Sequence, residues 1–100
     1  MYYQKTITAI RQRIEKEKPG TRPRFREFLD SGPAPLSYLL WMCFQIEVMD
    51  TSSDESALKA GRWIGWILAH IEIHGLWDNT KSRRLVRSDH KKGFDKPHQK

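Results

Sequence analysis

Two histidines, His70 and His74, stand one helical turn apart in the stretch GRWIGWILAHIEIHG (residues 61–75). That spacing lets two imidazoles converge on one cation, the arrangement a helical zinc site begins from. Two ligands do not make a site, and Glu72 falls on the opposite side of the same helix. No Cys or His nearby completes the set, so Glu47, on another segment, is the only inviting third ligand. We therefore expect no metal and no cofactor, and read the histidines as half-exposed or hydrogen-bonded. Glu47 itself falls among Leu36, Leu40 and Cys43. A carboxylate buried there needs Arg62, His70 or His74 as a partner; otherwise it reaches solvent at its helix end.

The single cysteine, Cys43, excludes an intrachain disulfide. Its helical neighbours Leu39, Leu40, Phe44 and Ile46 predict a buried, inert thiol rather than a nucleophile. No nucleophile elbow, phosphate loop or paired carboxylates with useful spacing occurs, and the remaining Ser and His residues are unconnected. The expectation is a protein that is not an enzyme.

The elements that position these residues follow from length and periodicity. One hundred residues with 38% hydrophobic and 30% charged side chains suit one globular domain rather than a disordered chain. MYYQKTITAI carries no apolar run of secretion-signal type, and with the lone cysteine this predicts a cytoplasmic protein. The fold class expected is all-α, a small bundle of four to five helices. A first helix over about 3–17 has Tyr3, Ile7, Ile10 and Ile14 as a narrow apolar stripe and stops at Pro19-Gly20. A short second helix runs over about 21–29, capped by Thr21, with Phe25, Phe28 and Leu29 inward. Pro35 opens a third, over about 36–49.

SSDE (52–55) reads as a capping box from Ser52 to Glu55 for a long central helix over about 53–74, with Gly75 as its stop. A basic C-terminal helix over about 80–92, capped by Asn79 or Thr80, completes a single domain of residues 1–93. Residues 94–100 are expected to be a basic, irregular tail.

The long helix is apolar on both sides. Ala57, Ala60, Ile64, Ile67, Leu68 and Ile71 form one side, while Trp63, Trp66 and Ile73 oppose them. Gly61 and Gly65 each cost a helix about 1 kcal/mol against alanine, which close helix packing offsets, within the chain or across a two-fold axis. The third helix adds Tyr38, Trp41, Met42, Val48 and Met49 on its second side. Apolar area of this extent predicts an interface, through Trp41, Met42, Gly61, Trp63, Gly65 and Trp66, and hence a homodimer.

Charge is segregated along the chain: residues 1–26 carry +6, residues 27–80 carry −6 and residues 81–100 carry +6. In the last segment Lys81, Arg83, Arg84, Arg87, Lys91 and Lys92 cover about half of a helix, suited to phosphates or another acidic surface. The competing expectation is a solvated helix docked on the acidic middle of its own fold or of a partner subunit. Neither a helix-turn-helix nor a winged helix fits: the turn at 76–80 is too long, and the Trp/Ile helix is wrong for base edges.

The sequence thus predicts a small homodimeric binding protein whose basic ends meet an acidic partner, nucleic acid or a nucleic-acid-binding protein complex. The alternative is a protein-only regulator or inhibitor, of the phage or mobile-element accessory type, acting through the Trp/Met face. No membrane contact is expected.

Overall fold

A computed structural model describes residues 3–25, 34–49 and 53–94. The described residues form four helices: α1 (Gln4–Glu17), α2 (Leu36–Glu47), α3 (Asp54–Ile73) and α4 (Asn79–Phe94), with no strand among them. The protein is a small all-α bundle.

α1 forms where the isoleucine stripe predicts it. Tyr3, Ile7, Ile10 and Ile14 are all buried, and the helix stops before Pro19, where Gly20 takes a φ of +84°. The expected short helix over 21–29 does not start: residues 21–25 are not helical. Pro23 disfavours helical angles at Arg22, and the Thr21 hydroxyl donates backward to the Lys18 carbonyl instead of capping forward. Arg24 is tied by its amide to the carbonyl of Ser37 at 3.1 Å. Residues 26–29, with Phe28 and Leu29, lie outside the described residues.

Pro35 occupies the N-cap position of α2, and its carbonyl accepts from the amides of Tyr38 and Leu39. α3 begins one residue later than the capping box implies. Ser53 supplies the cap, its hydroxyl accepting from the amide of Ser56 at 3.2 Å; Ser52 lies outside the described residues. Asp54 and Glu55 in the first turn complement the helix dipole. At the other end Gly75 turns left-handed, φ +76°. Its amide reaches Glu72 and that of Leu76 reaches Ile71, the paired bonds of a Schellman motif.

α3 is the longest helix, at 20 residues; α1 packs against both α2 and α4, and α3 packs against α2. α3 buries Ala60, Ile64, Ile67, Leu68 and Ile71 and leaves its other flank to solvent.

One contact explains how two basic helices pack together. α1 starts at Tyr3 with no side-chain cap of its own and no acid in its first turn. Asp89, on α4 and only 3% exposed, provides what is missing. Its carboxylate accepts from the amides of Lys5 at 3.0 Å and Thr6 at 2.7 Å, and from the Thr6 hydroxyl. A residue more than eighty positions away therefore caps α1 and neutralises part of its dipole.

Asp89→Ala is expected to lower the stability by about 2–4 kcal/mol, because it strands two amides and a hydroxyl in a buried place. Urea unfolding followed by circular dichroism reads this directly. Asp89→Asn keeps the shape but sets an amide donor against donors, and should recover less than half of the loss.

Candidate functional site

α4 is capped by Asp78 rather than by Asn79 or Thr80: the Asp78 carboxylate accepts from the Lys81 amide at 3.1 Å. Its inner side is set by Ser82, Leu85, Val86 and Asp89, with the Ser82 hydroxyl accepting from the Trp77 indole at 2.9 Å. That fixes the opposite side outward. Lys81, Arg83, Arg84 and Arg87 are all exposed. Arg87 lies three positions from Arg84 and four from Arg83, so each meets it on the helix surface.

The two ion pairs among the described residues, Arg11–Glu47 and Arg13–Glu17, leave these three guanidinium groups uncommitted. Lys81 lies over the Trp77 ring at 5.0 Å. Lys91 and Lys92 continue α4, but their side chains lie outside the described residues, as does the tail from 95.

α4 packs chiefly on α1 and only lightly on the acidic middle segment of its own chain, through Asn79 and Glu72. α1 is itself basic, so the two positive ends become neighbours. Lys5 reaches across to the Ser88 hydroxyl at 3.0 Å. This concentration of charge depends on Asp89, whose role no local pattern in the sequence announces.

The histidine pair does something other than hold a metal. Ala34, fully buried and next to a proline, has an amide and a carbonyl that no helix satisfies. His70 and His74 satisfy both. The Ala34 amide donates to His70 Nδ1 at 3.1 Å, and His74 Nε2 donates to the Ala34 carbonyl at 2.6 Å. A carbonyl only accepts, so His74 carries its proton on Nε2. Burial, with the neighbouring His74 as the smaller cause, lowers the pKa of His70, which keeps Nδ1 free to accept. Among the described residues no three His, Cys, Asp or Glu side chains are grouped to hold a metal ion.

Glu47 also has a different employer from those the sequence suggests. Arg11 of α1 pairs with it at 2.7 Å while lying over the Phe44 ring at 4.4 Å. Cys43 is completely buried, its thiol pushed up to about 12, first by burial and then by the Glu47 charge.

The aromatic face is partly self-contained. Tyr38 stacks on Trp41 at 5.6 Å, Phe25 approaches Trp41 at 4.8 Å, and Trp63 lies 6.5 Å from Trp41. Trp66 meets Tyr38 edge-on at 6.0 Å and His70 at 4.0 Å. Two of the expected interface residues belong to the interior. Met42 is 6% exposed in the core, and Gly61 faces Tyr3, whose hydroxyl would lie 3.0 Å from an added Cβ. Trp41 and Trp63 are half-buried, whereas Gly65 and Trp66 are exposed. The partner of Gly61 is Tyr3 at the start of α1, which hydrophobicity along α2 and α3 alone does not reveal.

No helix among the described residues is long and apolar enough to cross a membrane. No protein family, curated protein or solved structure matches this chain.

The Ala34 clamp needs a neutral His70, so its contribution is complete above the ordinary histidine pKa of about 6.5 and is lost as pH falls through the lowered folded value. The urea midpoint should therefore fall between pH 7.5 and pH 5. His70→Ala should start lower at pH 7.5 and show a shallower dependence.

Proposed function

We propose that this protein is a small, non-enzymatic helical binding protein that works in the cytoplasm as a homodimer and grips an acidic macromolecule, nucleic acid first, through α4. The observation that carries this reading is the exposed triangle of Arg83, Arg84 and Arg87, free of internal ion pairs and set beside a second basic helix. Guanidinium groups in this arrangement suit phosphate oxygens, and releasing the counterions of a polyanion drives the association. Phosphate contact alone carries little sequence information, so shape and backbone recognition fit better than base readout. A non-enzymatic role accords with the employment of the reactive groups. Cys43 is sealed, the histidines hold a backbone amide and carbonyl, and Asp89 caps a helix.

A second reading, a protein-directed regulator or inhibitor acting through aromatic surface, draws on Trp66 and Phe25, which are 37% and 61% exposed. Contacts of that type anchor protein interfaces and depend weakly on salt.

Fluorescence anisotropy with a labelled DNA duplex across a salt series separates the two readings. We expect affinity that falls steeply with salt, with the logarithmic slope reduced by about 3 in the triple variant R83A/R84A/R87A. Unchanged binding by that variant, or no binding at low salt, sinks the polyanion reading. Loss of a captured protein partner on Trp66→Ala, with no salt dependence, would favour the regulator.

A further inference from the structure

We infer that the second copy docks on the outward flank of α3, antiparallel and about a two-fold axis level with position 67. This rests on the dimer in the proposed function and supplies its face and register. Among the described residues, this flank carries three of the large apolar side chains left exposed. Leu58 is 66% exposed and Ile73 61%, with Trp66 between them. Gly65 and Ala69 are exposed there too, and an added Cβ at Gly65 would meet nothing within 4 Å. Among the described residues nothing therefore uses the closeness that Gly65 permits, although an interior glycine weakens a helix. Gly61, by contrast, is occupied by Tyr3.

Beside the flank runs a groove of ≈ 530 Å³ between α3 and α4, floored by Gly65, Leu68 and Ala69. A second α3 can enter this trough where side chains are smallest.

Charge selects the occupant and its direction. Arg62 is exposed and makes no ion pair among the described residues, while Glu72 accepts only a 3.4 Å contact from Asn79. Gly65 and Ala69 lie two positions either side of 67, and Arg62 and Glu72 lie five either side. An antiparallel copy turned about that level sets Gly65 beside Ala69 of the partner subunit. It sets Arg62 across the seam from Glu72 of the partner subunit, and the symmetry repeats each contact. The two Trp66 rings then flank the axis on one side. A parallel pairing brings like charges level and gains neither contact, so the charge pattern opposes it.

Sedimentation velocity over a concentration series, without nucleic acid, tests the register. The wild type is expected to dimerise. Arg62→Glu and Glu72→Arg each create two like-charge contacts and should weaken the dimer roughly tenfold or more, and the double variant R62E/E72R should restore it. Gly65→Leu should raise the melting temperature of the single chain, since helix propensity improves in open space, while removing the dimer. Circular dichroism confirms that each variant is folded. A monomeric wild type overturns the inference, and so does a dimer that survives both single reversals or a double variant that stays monomeric. Dimerisation as expected with no salt-dependent DNA binding supports this face and sinks only the polyanion reading.

Discussion

The bundle depends on a buried carboxylate. Asp89 is held by two amides and a hydroxyl at the start of α1, and this contact draws two helices together despite their shared positive charge. Desolvating a carboxylate is costly, and the cost is met only because several donors converge on it and the dipole of α1 favours a negative charge there. The isoleucine stripe of α1 then packs between α4 and α2, and α3 is placed through α2. Without the cap, α1 would begin with orphaned amides facing the interior.

The same economy governs the other polar groups. His70 and His74 are spaced for a metal, but that spacing equally matches the amide and carbonyl of one residue, and Ala34 fills the gap between the rings. Arg11 and Glu47 join α1 to the end of α2. Among the described residues, His70, His74 and Glu47, the groups that look chemically available in the sequence, are committed to a backbone or to a neighbouring helix. The clearest surplus is charge and apolar surface: the arginines of α4 and the outward flank of α3. Those two surfaces carry the functional reading, one by counterion release and the other by burial of exposed side chains.

The two surfaces lie on either side of one groove, with Arg83 and Arg87 on its α4 wall and Gly65 and Ala69 on its α3 wall. A copy seated on α3, as proposed, would bring a second set of α4 arginines into the same assembly. Two sets on one particle raise the effective concentration of cationic contacts along a polyanion, so modest single-chain affinity becomes useful.

Much of the secondary structure was legible in the sequence, because it follows from local rules. The spacing of Tyr3, Ile7, Ile10 and Ile14 marks α1 and its buried side; Pro19 and Gly75 stop α1 and α3; and the alternation of Ala60, Ile64, Ile67 and Ile71 names the inner face of α3. The outward arginines of α4 follow from the same periodicity. Only the tertiary structure decided that Asp89 caps α1, that Arg11 is the partner of Glu47, that the histidines clamp Ala34, and that Met42 and Gly61 face inward. The physical reason is common to all of them. Hydrogen bonding and burial are settled by which groups meet, and these meetings join positions up to 84 residues apart, beyond the reach of any local pattern.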